Sequence, residues 1–125
     1  MRLEQIKEPA EITAIRQACF SFEVPSNISV LLHRIRIDGM TVGYVATEDY
    51  NTVAAPHICV LEGYKNSAFL GRITWIFENV YCPLMRALGK EWLVTNCDDS
   101  DKGTINFLEK CGFDLKHLMV AQYKL

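Results

Sequence analysis

Met1 to Lys7 (MRLEQIK) alternates apolar and polar residues at period two, which predicts a strand. From Pro9 the period lengthens. Ile12, Ile15, Ala18, Cys19 and Phe22 recur at three- and four-residue steps, an amphipathic helix that stops by Pro25. Pro9 suits its first turn, with Glu8 and Glu11 near the positive end of the helix dipole. Val30 to Ile37 and Thr41 to Thr47 are β-rich runs joined around Asp38-Gly39, a dipeptide that tolerates the positive φ angles of a tight hairpin. A third run, Val53 to Leu61, is interrupted by Pro56 and becomes apolar as HICVL, so three antiparallel strands follow one another.

At Phe69 the helical period returns. Ile73, Ile76, Phe77, Val80, Tyr81, Leu84 and Met85 form one stripe, which Pro83 kinks or ends and Gly89 stops. EWLVTNC (91–97) reads as a short buried strand. The polar loop DDSDKG leads into a helix, TINFLEKC, capped by Gly112, and DLKHLMVAQYKL closes the chain as a strand or strand pair. The order is β-α-β-β-β-α-β-α-β, and the strand–helix–strand unit over 58–97 requires one parallel pair within an otherwise antiparallel sheet. The fold class expected is therefore α/β, a mixed sheet with helices on both faces. No repeat or linker divides the chain, so residues 1–125 read as a single domain.

Composition narrows the function. Half of the 125 residues are hydrophobic and 22% are charged, a globular balance. A formal net charge of −2, with no basic cluster, argues against a nucleic-acid partner. The charged start lacks the apolar stretch of a secretory leader, and no apolar run approaches the ~18 residues of a membrane span, so a cytoplasmic location without a membrane partner is expected. Five cysteines (Cys19, Cys59, Cys82, Cys97, Cys111) are scattered without a CxxC pair and read as reduced, mostly buried thiols. A Cys59–Cys97 redox pair on adjacent strands is conceivable, but core packing is the better reading. Glu48-Asp49 and the acidic run 98–101 lack the Gly and terminal Glu of a calcium loop and read as solvated loops, so no metal site is expected.

Proton-transfer chemistry has two candidates near the third of these strands. His57 has the intrinsic pKa for proton removal near neutrality, and Glu62 is the other titratable group besides Cys59. Alternation places His57 and Cys59 on one face and Ile58, Val60 and Glu62 on the other, so His57 and Glu62 do not share a face. His33 and His117 read as ordinary sheet or surface residues.

Two stretches carry a family resemblance. FLEKCGF (107–113) is similar to the closing signature of the GNAT (Gcn5-related N-acetyltransferase) fold, a short helix bearing "YEKLGF" before a final strand. VLEGYKNSAFLGR (60–72) aligns without gaps on that family's strand-to-helix segment, typified by "V-x-P-x-Y-R-G-K-G-I-G". The resemblance spans essentially the whole chain, at low identity elsewhere.

It implies acetyl-CoA in a V-shaped opening between the two central parallel strands, with the strand backbone at Ile58, Cys59 and Val60 along the pantetheine. Lys65 and the turn Asn66, Ser67, Ala68, Phe69, Leu70 and Gly71 would take the pyrophosphate on a helix N-terminus, where unpaired N–H groups favour an anion. Lys65 falls on the family's Arg or Gln. Asn66 and Ala68 replace glycines, Leu70 stands where Gly or Ala is expected, and Gly71 compensates if the turn slips by one residue.

The family's thiolate-protonating tyrosine corresponds to Leu108, which donates nothing, and its helix-start asparagine to Asp101. Thr104, Cys111 and Tyr123 are substitute donors, and Thr104 is also expected beside the cofactor. The implied activity is acetyl transfer to a small amine or protein amino group, selected by residues 10–27 and 48–56. The alternative is a non-catalytic assembly module of this fold, similar in size and style to small GNAT-like proteins among the virion-assembly genes of tailed bacteriophages. That reading expects an exposed apolar patch around Trp75 and a protein partner. A homo-oligomer through the last strands is compatible with either.

Overall fold

The structure, a computed structural model, describes residues 1–96, 100–115 and 120–125. Its elements are β1 (Arg2–Ile6), α1 (Pro9–Cys19), β2 (Ser29–Ile37), β3 (Met40–Tyr50), β4 (Val53–Val60), α2 (Ser67–Ile76), α3 (Cys82–Ala87), β5 (Trp92–Asn96), α4 (Lys102–Lys110), β6 (Asp114–Leu115) and β7 (Val120–Lys124). The strands form one seven-stranded sheet in the order β1-β2-β3-β4-β5-β7-β6. Only β4 and β5 pair in parallel among the described residues, as the strand–helix–strand unit requires. Cys97 and His117 lie outside the described residues, as do Asp98 and Asp99, so the Cys59–Cys97 pairing and part of the acidic run fall there too.

The β2–β3 hairpin forms at Asp38-Gly39, with φ of 52° and 77° at the two positions. Positive φ at both matches the right-handed twist of the flanking strands. Alternation then divides the sheet into two packed faces. Leu32 and Ala46 meet Ile12 and Ile15 of α1 on one face, while Ile35, Val42 and Val45 meet Ile73, Ile76 and Phe77 on the other. Arg34 ties α1 down, bonding Glu4 of β1 at 2.5 Å and also Glu11 of α1.

Two expectations about the helices are corrected. The first helix ends at Cys19, well before Pro25, with Phe20 already extended (φ −132°, ψ 139°). Phe22 therefore leaves the helical stripe and turns toward β4. In the long helix, Pro83 does not end the run. A π-helical segment, Phe77–Tyr81, runs directly into α3, and Pro83, which has no N–H to donate, falls just past that shift in hydrogen bonding. The extra residue brings Tyr81 and Cys82 into the core together, and the Tyr81 hydroxyl meets buried Thr47 of β3 at 2.7 Å. Gly89 (φ 83°) ends the run as expected.

No helix among the described residues is long and apolar enough to cross a membrane.

Candidate functional site

The site is created by where β4 and β5 stop pairing. Among the described residues they are in register only at Val53–Trp92 and Ala54–Leu93, although β4 runs on to Val60 and β5 to Asn96. The closed end is pinned. Glu91 N–H donates to the Thr52 carbonyl at 2.7 Å, and buried Lys90 bonds Asp49 and the Asn51 carbonyl in the β3–β4 turn. Beyond it the strands splay, and a cavity of about 660 Å³ opens between them, lined from both walls by residues such as Pro56, Ile58, Val60, Thr95 and Asn96.

The register shows which backbone groups face this opening. Leu61 N–H donates to the Val42 carbonyl at 2.9 Å, and Cys59 and His57 pair with Tyr44 and Ala46 in the same phase. Hydrogen bonding alternates along an antiparallel pair, so the N–H and C=O of Ile58 and Val60 point away from β3, into the splay. Among the described residues β5 does not pair with them, which leaves these groups to a bound molecule.

His57 stands at the edge of the cavity, about a third exposed, and its ring is held from two directions. Nε2 lies 2.7 Å from Glu48 Oε2, and Phe22 stacks on it with ring centroids 3.6 Å apart and planes 7° from parallel. Glu48 is 7% exposed, and its other oxygen accepts the Tyr50 hydroxyl at 2.9 Å. This hydrogen bond to the carboxylate raises the Tyr50 pKa. With Nε2 engaged, Nδ1 is the ring nitrogen left for an incoming group.

Sequence alone places Glu48 in a solvated acidic pair and not in the site. The signal that could have found it is cross-strand. Ala46 pairs with His57, and Glu48 lies two residues farther along β3 on the same face.

The remaining predicted residues divide. Ile58, Val60, Lys65, Leu70 and Thr104 line the cavity with His57. Glu62 lies beyond the end of β4, largely exposed, and pairs with Lys65 at 3.0 Å, so it is not brought to His57. Asn66 caps α2, its Oδ1 accepting the Phe69 N–H at 3.2 Å while its carbonyl accepts Leu70 N–H at 2.9 Å. The N–H groups of Ser67 and Ala68 are thereby left at the head of the helix without an intrahelical acceptor.

Gly71 lies inside α2 without positive φ, which corrects the expectation that the turn could slip onto it. Cys59 is not a lining side chain; burial, and then its Cys19 neighbour, push its thiol up to about 11.

On the β5 side, Asp101 caps α4, accepting from the Thr104 N–H at 3.1 Å and its hydroxyl at 2.6 Å. Leu108 does line the cavity at the position of the family's tyrosine, with Cys111 one turn on. Burial pushes the Cys111 thiol up to about 12, so near neutrality it carries its proton. Tyr123 packs against Phe77 and Phe113 and does not line the cavity. No cluster of metal-ligating side chains occurs among the described residues.

No family model matches this sequence, and no curated protein matches it. Solved structures do. An IAA acetyltransferase from Bacillus cereus superposes with TM-score 0.68 at 12% identity, covering 98% of each chain. The aminoglycoside acetyltransferase AAC(6')-Ib in complex with coenzyme A gives 0.64 at 14% identity over 77% of this chain. The PaiA N-acetyltransferase from Thermoplasma acidophilum, also in complex with coenzyme A, gives 0.63 at 16% identity over 80%.

This chain has the GNAT fold. It spans 66% of the AAC(6')-Ib chain and 64% of the PaiA chain. At these identities the likeness establishes the GNAT architecture, and what the splay does here rests on its own residues.

Proposed function

We propose that the protein binds acetyl-CoA in the β4–β5 splay and transfers its acetyl group to an amine. The observation that carries this reading is the pair of backbone positions Ile58 and Val60, turned away from β3 and without a strand partner among the described residues, facing a cavity with His57 at its edge. The residues fit the cofactor. A pantetheine arm carries amides that bond an open strand edge as another strand does. Lys65, which lines the cavity with Leu70 while paired to Glu62, would supply positive charge for phosphates, and the Ser67 and Ala68 N–H groups at the head of α2, without an intrahelical acceptor, would add donors.

Bound acetyl-CoA supplies an acetyl group activated as a thioester. The chain's part is positioning and proton transfer. His57 takes a proton from the amine at Nδ1 while Glu48 holds Nε2–H and Phe22 fixes the ring plane. A backbone N–H at Ile58 or Val60 stabilises charge developing on the acetyl oxygen. Leu108 leaves the departing sulfur no tyrosine, and burial makes Cys111 a weaker acid than an ordinary thiol, so solvent protonates it.

Thiol release from acetyl-CoA in the presence of a primary amine tests the reading. His57→Gln is expected to lower kcat about 100-fold with acetyl-CoA binding retained. Equal turnover by the variant would refute a base at His57.

A second reading has one observation in its favour. Trp75 on α2 is 47% exposed, as a non-catalytic interaction module of this fold, of the kind found in bacteriophage virions, would require. It predicts no response to acetyl-CoA and self-association or partner binding lost in Trp75→Ala.

A further inference from the structure

The end of the cavity next to His57 is built by the chain leaving α1. Cys19, Phe20, Ser21 and Phe22 line it together with Pro56. Phe20 meets Phe22 edge to face, with centroids 5.7 Å apart and planes at 74°, and Phe22 in turn lies flat on His57. Because α1 stops at Cys19, these two aromatic residues alternate along extended chain and fold over the β4 face that carries His57. An acceptor nitrogen that reaches His57 therefore carries its substituent along Phe20 and Pro56.

The charges at this end tell against polycations. Glu48, the carboxylate bonded to His57, is buried, with one oxygen on His57 and the other on Tyr50. Asp101 is the one carboxylate among the described lining residues, and it caps α4 through both the N–H and the hydroxyl of Thr104. The Arg16 guanidinium, 5.7 Å from the Phe22 ring centroid, adds positive charge beside the same wall. A second ammonium group would find the Phe22 face already taken by the Arg16 guanidinium, and no uncommitted carboxylate among the described lining residues. Volume points the same way. About 660 Å³ is the space of one drug-sized ligand, and the thioester arm must share it.

We infer that the acceptor is a small primary amine whose substituent is aromatic or apolar and carries no second cationic group. The inference rests on the acetyl-transfer reading of the same cavity. In the step, the amine nitrogen bonds to the acetyl carbonyl carbon as the carbon–sulfur bond breaks. One amine proton passes to His57, and the sulfur leaves as thiolate and is protonated by solvent. The products are an N-substituted acetamide and coenzyme A.

The test measures thiol release by the full chain with acetyl-CoA and four amines: 2-phenylethylamine, benzylamine, spermidine and kanamycin. A thermal melt with acetyl-CoA alone runs alongside. The expected result is a kcat/KM for the two aromatic amines at least tenfold above that for spermidine and kanamycin. Phe20→Ala should raise KM for 2-phenylethylamine about tenfold, the loss of roughly 1.4 kcal/mol of ring contact. Phe20→Leu should restore most of it, which a merely misfolded site would not do.

Preference for spermidine or kanamycin overturns the inference and leaves acetyl transfer standing. An acetyl-CoA-stabilised protein that turns over none of the four amines overturns the inference as well. Absence of both thermal stabilisation and thiol release overturns the inference and the reading beneath it.

Discussion

At the scale of single residues, the site turns on a histidine whose neighbours decide what it can do. His57 was visible in the sequence because histidine on a strand beside the family's cofactor segment is a natural base. Glu48 was not, because its role depends on the register of β3 against β4, which no local pattern reports. Glu48→Gln keeps the shape but replaces a carboxylate partner with an amide. Kinetics with acetyl-CoA varied at saturating amine should show kcat lowered about tenfold with KM for acetyl-CoA unchanged.

Other buried titratable groups govern stability. Burial lowers the His33 pKa from 6.5, and its Nδ1 has no hydrogen-bond partner among the described residues. The folded state thus resists protonation more than the unfolded chain does. The stability this group contributes is present above about pH 6.5 and is lost as pH falls through the depressed value. Cys111 works from the other side. Its pKa is raised from 9.0 to about 12, so its contribution is full below pH 9.0 and is lost as pH rises toward 12. Urea midpoints measured across pH should form a dome, and His33→Leu should flatten its acid limb.

At the scale of elements, the order of strands and helices could be read directly from period changes, and the Asp38-Gly39 hairpin from turn chemistry, since both are local. The π-helical segment before Pro83 could not. It arises because Tyr81 must reach Thr47 while Cys82 also packs inward, a demand set by the sheet beneath. The early end of α1 was hidden for a similar reason: Phe22 fits a helical stripe by spacing, and the stacking on His57 that claims it is tertiary.

One glycine links elements to site. A Cβ at Gly43 of β3 would lie 2.4 Å from the Cys59 carbonyl oxygen of β4. Gly43→Ala forces those strands apart where β4 turns its backbone toward the cavity. A loss of about 3 kcal/mol in urea unfolding is expected, together with weaker acetyl-CoA binding.

At the scale of the whole molecule, the fold is a device for keeping two strands joined at one end and apart at the other. Lys90 and the Thr52 carbonyl close the narrow end, and α2 and α4 begin where the strands have separated. The parallel pair was predictable from connectivity alone, since a strand–helix–strand crossover forces it. The length over which that pair stays bonded was not, because only two register positions hold before the splay. The family resemblance supplied the idea of an opening, and the geometry supplies its walls, its unengaged backbone and the aromatic side that faces an acceptor.

The central claim is that this opening holds acetyl-CoA, and calorimetric titration of the purified protein tests it most directly. The account predicts a one-to-one complex of micromolar affinity, about −8 kcal/mol, weakened at least tenfold in Lys65→Glu. No heat at several temperatures, with no rise in Tm at saturating acetyl-CoA, would contradict it.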